Sequence, residues 1–324
     1  MSGTVKNRSE ILFLYDIADA NPNGDPLDDN KPRLDEETEI NIVTDVRLKR
    51  TIRDYLEEYK GQSLFVKEVK NDQGHIQDAK LRAKDYLEGE PKSLQEAKDS
   101  MKEKILDECV DVRLFGATIP LDVKIGKKSE SGSITLTGPV QFRMGRSLNK
   151  VEIQHIKGTG AFASGEGKSQ ATFREEYILP YSLIGFYGVV NENAAQSTKM
   201  DEDDVNLLID GIWNGTKNLI SRSKFGQIPR VLIQIEYNEV HYFIGDLDKQ
   251  VKLEHNLDSD KLIRSINDYK IDLSNLLKLF ELNKDKIAKI NLKFDSNVQF
   301  KDGDIKKCIQ KIKDFGIEVN ELKL

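Results

Sequence analysis

Residues 158–190 read GTGAFASGEGKSQATFREEYILPYSLIGFYGVV, and the fold turns on whether the first half opens a helix over a phosphate or joins two strands. A phosphate-binding loop needs a glycine five residues before its Gly-Lys-Ser ending, so that successive N–H groups converge on the ligand. Here Gly167-Lys168-Ser169 is preceded at that position by Phe162, and the match fails. Gly158-x-Gly160-x-x-Ala163 satisfies the loose dinucleotide fingerprint, but that fingerprint must open a helix. Gly165 and Gly167 would then lie inside the helix, each costing about 1 kcal/mol relative to alanine. The second half, ATFREEYILPYSLIGFYGVV, is apolar and rich in aromatic and β-branched residues, the composition of a strand. Residues 158–173 therefore read as a flexible loop between the strands VEIQHIK and TFREEYIL.

The flanking sequence extends this pattern in both directions. EILFLYDIAD reads as a strand, ended by the turn-rich NPNGDPLDDNKP. VTDVRLKRTIRDYLEEYK reads as a helix with Thr44 as its N-cap. Leu48, Ile52, Tyr55, Leu56 and Tyr59 share one face, and Arg47, Lys49, Arg50 and Arg53 occupy the remainder. Residues 60–110 are charged and helical in period, whereas ITLTGPVQFRMG and RVLIQIEY return to strand character. A second core helix is expected over 201–221, and short helices and strands alternate beyond Tyr242. Strand, helix, several strands, helix, strand is the order of an α+β sandwich of the ferredoxin-like or RRM type, expanded by insertions. Sheets of that type commonly bind single-stranded RNA.

Composition narrows the class. The 324 residues are 38% hydrophobic and 32% charged, and no run approaches the eighteen apolar residues of a membrane helix. The start, MSGTVKNRSE, lacks a signal peptide's apolar core. Cys109 and Cys308 stand alone, and His75, His155, His241 and His255 fit no metal spacing. A cytoplasmic protein without metal or cofactor is expected. Net charge is −6, which alone argues against nucleic acid, but the charges are segregated. Residues 16–39 hold nine acids against Lys31 and Arg33, while Lys217, Arg222, Lys224 and Arg230 meet no acid between residues 214 and 231. Local fields, rather than the sum, decide what a surface attracts.

Several segments then occur in a telling order: LYDIADANPNGDP, DNKPRLD, TDVRLKRTIRDYL, DVRLFGATI, TGPVQFRMGRSLNKVEI and REEYILPYSLIGFYGVVN. Together they resemble the backbone subunit of the type I CRISPR surveillance complex, Cascade. The likeness is to the Cas-seven family of the RAMP superfamily, in its type I-B or closely related I-C branch. It covers roughly residues 10–240, and residues 240–324 match less distinctly. The resemblance implies an RRM-like palm at 1–59 and 111–240, a helical fingers insertion at 60–110, a thumb hairpin at about 150–175 and a C-terminal α/β extension at 241–324. It implies copies assembled head to tail along crRNA, a thumb that splays out a base at regular intervals, and a guide presented for pairing with target DNA in antiviral defence. The implied partners are crRNA, target DNA through the guide, other copies of the chain and other Cascade subunits, with no membrane and no catalysis.

The same resemblance assigns residues. Arg47, Lys49, Arg50 and Arg53 carry over as phosphate contacts, against the alternative of a solvated face paired with Asp54, Glu57 and Glu58. Arg143 and Arg146 carry over beside them, and Lys168 would meet a phosphate from the thumb. Phe162 either wedges against a base or anchors the thumb. Arg222 and Lys224 are either RNA contacts or ordinary helix-end cations. Asn21, Asn23, Gly24 and Asp25 carry the NPNGDP pattern of the first-strand loop.

Two rival readings stand beside this one. Type III relatives cut target RNA with a loop aspartate, and Asp25 and Asp28 are the candidates here, because clustered carboxylates can hold magnesium. The alternative role for Asp25 is to fix the turn Asn23-Gly24-Asp25-Pro26. A general interaction protein without RNA would require the basic clusters to scatter on folding. The acidic loop 16–39 is also expected to face a basic surface of a neighbouring copy, so charge reversal at Asp28, Asp29, Glu36 and Glu37 should weaken assembly.

Overall fold

A computed structural model describes residues 3–71, 73–163 and 171–324, with side chains at all of these except 159–163 and 171–174. Strand β1 (Ser9–Ala20) is the spine. Ile11, Phe13, Tyr15 and Ile17 enter one core, while Leu12 and Leu14 enter another. That is the period-two projection of a strand buried on both faces, and it explains why the segment is an almost unbroken apolar run. Two short antiparallel pairs follow, β2 (Gly24–Asp25) with β3 (Lys31–Pro32) and β4 (Leu34–Asp35) with β5 (Ile40–Val43). Helix α1 (Asp45–Lys60) begins where the Thr44 side chain accepts a bond from the Arg47 N–H. It stops at Gly61, in the left-handed conformation.

The chain then leaves the sheet through α2 (Ala79–Lys84), α3 (Leu94–Glu108), α4 (Val110–Phe115) and the hairpin β6 (Gly116–Ile125) and β7 (Lys128–Thr137). It returns as β8 (Val140–Phe142), β9 (Gly145–Lys150), β10 (Gln154–Ala163) and β11 (Ala171–Val190). Helices α5 (Glu192–Thr198) and α6 (Glu202–Asp210) lead to β12 (Ile228–Tyr237). The remainder forms β13 (Lys252–Glu254), β14 (Lys270–Asp272), α7 (Ser274–Leu282), β15 (Ile287–Phe294), α8 (Ile305–Asp314) and β16 (Glu318–Glu321).

The result is an α+β fold on one central sheet, ordered β16-β15-β12-β1-β11-β9-β5-β4, with β8 and β10 also paired to β11. Leu48, Ile52, Leu114, Leu208 and Ile212 cover one face of it. Residues after Tyr237 cover the other, with Leu276, Phe280, Ile309 and Ile312 packed on Leu12, Leu183 and Ile233. A third, separate cluster joins Phe65, Ala83, Met101 and Ile105 to Ile119, Val123 and Ile134 of the hairpin. The helical period of 60–110 anticipates α2 and α3, and the hairpin that completes their core lies beyond it. This outlying unit meets the sheet where two chain segments cross. A Cβ on Gly138 would lie 2.0 Å from the Phe115 carbonyl carbon.

Two expectations need correction. Residues 158–163 are not loop but the outer part of β10, paired so that Gly158 faces Arg174 and Thr159 faces Phe173. Ladder bonds there outweigh the low strand preference of glycine. The helix expected over 201–221 is α6 followed by a π-helical turn, Gly211–Gly215, and helical structure ends before Leu219. Among the described residues no helix is long and apolar enough to cross a membrane.

Candidate nucleic-acid interface

Both faces of β1 are buried, and the segment after Tyr237 covers the face that an open RRM sheet leaves exposed. Of the basic residues singled out in the sequence, four lie on α1, at the periphery of the sheet.

The four α1 cations differ in what they touch. Arg53 is a strut. Its Nε lies 3.0 Å from the carboxylate of Asp111, which is fully buried and also accepts from the N–H groups of Phe65 and Val66. Lys49 pairs with Asp45 at 3.0 Å, and both Lys49 and Arg53 lie over the Phe115 ring. Arg50 is exposed and pairs with Asp54 at 2.6 Å. Arg47 alone has no carboxylate partner among the described residues; its guanidinium donates to the Thr51 hydroxyl. Burial lowers its pKa from the ordinary arginine value.

Lys224 lies close enough to Arg47 for their charges to interact. Its ammonium donates to the backbone carbonyl of Asn21 at 3.1 Å and has no acid beside it. Burial first, and the Arg47 charge second, push Lys224 down to about 8. Two half-buried cations act on each other here, and the only carboxylate acting on either is Asp54, through its charge on Arg47 without a direct ion pair, so the site keeps a net positive charge.

The first-strand loop supports this pair. Asn21 N–H donates to the Ser223 carbonyl and its side-chain amide to the Asn30 carbonyl, which ties the loop to the segment carrying Lys224. The side-chain oxygen of Asn23 accepts from both the N–H and the hydroxyl of Thr44, fixing the start of α1. Gly24 is required by close approach, since a Cβ there would meet Asn30 at 2.1 Å. Asp25 accepts from the Leu27 N–H and pairs with Arg33 at 2.9 Å, while Asp28 pairs with Lys31 at 2.6 Å. Both carboxylates thus serve the turn, and no metal-ligand group of three acids, histidines or cysteines forms among the described residues.

The other expected contacts are dispersed. Arg143 stacks on Tyr187 and pairs with Asp246 at 2.5 Å, bridging the sheet to the C-terminal segment. Arg146 pairs with Asp35 at 3.1 Å, and Arg222 with Glu176 at 3.3 Å. Lys168 lies outside the described residues, as does the side chain of Phe162, whose backbone belongs to β10. Sequence reading passed over Tyr177, which stacks on its cross-strand partner His155 at 4.6 Å and lies beneath Lys31 at 5.5 Å. Only the β10–β11 register brings those residues together.

The model of the family described as CRISPR-associated protein Cas7 matches residues 7–274. The chain belongs to the Cas7 family. It is 36% identical over 315 residues to the CRISPR-associated protein Cas7 of Haloferax volcanii, spanning 93% of this chain and 91% of the relative. Among solved structures, a chain of a CRISPR RNA-guided surveillance complex in a pre-nicking state superposes with a TM-score of 0.52 at 12% identity, over 95% of this chain and 100% of the other. A chain of a second CRISPR RNA-guided surveillance complex gives 0.51 at 11% identity, over 95% and 99%. The structural likeness extends the shared fold to nearly the whole of this Cas7-family chain, including the segment after residue 240.

Proposed function

We propose that this chain is a non-catalytic backbone subunit of a type I CRISPR surveillance complex, Cascade, that binds crRNA without sequence preference and assembles head to tail along it in the cytoplasm, so that the guide can pair with target DNA. The observation that carries this reading is the Arg47–Lys224 pair, half-buried, cationic and without a direct ion-pair partner among the described residues. A phosphate supplies the missing charge, and the affinity so gained falls steeply with salt. In this reading β12, β1, β11 and β9, with α1 and α6 on one face, are the palm. The cluster spanning Phe65 to Leu136 is the fingers, and β10 with the start of β11 is the thumb. Catalysis by Asp25 or Asp28 would require a carboxylate released from its present partner, so we read these residues as turn-forming.

Fluorescence anisotropy with a short single-stranded RNA over a salt series tests the proposal. The expected result is salt-dependent binding, weakened about tenfold in Arg47→Ala/Lys224→Ala with a shallower salt slope. Binding unaffected by the double substitution would refute it.

A further inference from the structure

Within the acidic stretch 16–39, most charges are neutralised internally. Asp16 pairs with Arg230, Asp25 with Arg33, Asp28 with Lys31, Asp35 with Arg146, and Glu39 with Lys150 and Lys261. Asp19, Asp29, Glu36 and Glu37 have no hydrogen bond or ion pair from their side chains among the described residues and are exposed, and of these four Asp19 and Asp29 lie together. These two line one open cavity of about 630 Å³ at the foot of β10 and β11. Asn21 lines the same cavity, is only 3% exposed, and carries a buried side-chain oxygen with no hydrogen-bond partner. Glu175 and Glu176 add two carboxylates, the first paired with His155 and Lys157 and the second with Arg222, the one cation in the lining. Such an acceptor-rich wall suits an ammonium or guanidinium and repels phosphate.

The complementary feature lies on the outlying unit. The turn of the β6–β7 hairpin reads VKIGKKS, residues 123–129, and contains no acid. Lys124, Lys127 and Lys128 are exposed there and have no ion pair among the described residues. This hairpin packs on α2 and α3 in its own core.

We infer that the β6–β7 turn of one copy inserts its lysines into the Asp19/Asp29 cavity of the next copy. The inference rests on the head-to-tail reading above, and it replaces the expected reversal set of Asp28, Asp29, Glu36 and Glu37 with Asp19 and Asp29. The two surfaces are different patches of one chain, so the contact is heterologous and propagates as an open filament.

The test counts copies bound to a single-stranded RNA long enough for several, by native mass spectrometry, with unchanged thermal melting as the folding control. Asp19→Lys/Asp29→Lys and Lys124→Glu/Lys127→Glu/Lys128→Glu each place like charges together, and each should raise the concentration for half-assembly about tenfold or more. An equimolar mixture of the two variants should restore assembly, because every contact in an alternating filament is then between opposite charges. Asp19→Asn/Asp29→Asn, which the left-handed φ of 50° and 47° accommodates, should give a smaller loss. Affinity for an RNA that holds one copy should not change in any of them. Assembly like that of the parent chain, or a mixture that fails to recover, would overturn the inference. A change in single-copy affinity would put RNA in the cavity and overturn it as well. A parent chain that does not gather on RNA at all would remove the proposed function and this contact with it.

Discussion

Arg47 and Arg53 lie on the same helix and have different fates. Arg53 neutralises a fully buried Asp111, and removing one partner of a buried pair costs about 3–5 kcal/mol. Arg53→Ala should therefore lower stability by about that amount in urea unfolding. Arg47→Ala should leave stability nearly unchanged and act on RNA affinity instead. Helical period identifies both as non-core positions, yet it cannot separate them. The partner that decides, Asp111, is remote in sequence and becomes a neighbour only on folding. Lys224 adds a pH dependence. Its folded pKa of about 8 lies below the unfolded lysine value of about 10.4. The unfolded chain therefore binds more protons between those values, and this residue's contribution to stability rises with pH across that window. RNA affinity should move the opposite way, falling between about pH 7.5 and 9 as the ammonium loses its proton. Lys224→Arg should flatten that fall in anisotropy titrations; an identical profile would show that Lys224 is not the titrating contact.

At the scale of elements, the strands and the α1 boundaries were largely legible. Thr44 caps α1 and the apolar run of β1 is a strand, because both signals are local. What the C-terminal segment does was not legible, since its short elements carry no motif and its role depends on a sheet face that is open until the chain folds. Glu10 makes the connection. Its buried carboxylate accepts from the Tyr187 and Tyr237 hydroxyls and from the N–H groups of Ile244 and Gly245 at 2.8 Å. In Glu10→Gln an amide NH₂ must oppose one of those backbone N–H groups whichever way it turns. The substitution should cost about 2–4 kcal/mol, with hydrogen exchange at Ile244 and Gly245 accelerating first. Of the hairpin beyond residue 110, only the end of its second strand, ITLT, reads as strand in the sequence, for a related reason. Its alternation is clear only toward Ile119–Val123 and Ile134–Leu136, while the intervening KIGKKSESGS is polar. Gly138→Ala, at the crossing with Phe115, should destabilise the outlying unit while leaving α1 in place.

For the whole molecule, net charge is a poor guide to local charge. The chain carries −6, yet several acids of the first-strand region are paired within the chain, and a cationic pair, an acidic cavity and a lysine-bearing turn are kept apart from one another. The chain belongs to the Cas7 family, and the proposed function has it work in multiple copies on RNA. The central claim is that RNA sets the length of that array and survives it. The direct measurement incubates single-stranded RNAs of increasing length with the protein and magnesium, then reads copy number on native gels and RNA integrity on denaturing gels. The account predicts intact RNA carrying more copies as its length grows. RNA cut at regular intervals, with cutting lost in Asp25→Asn or Asp28→Asn, would contradict it.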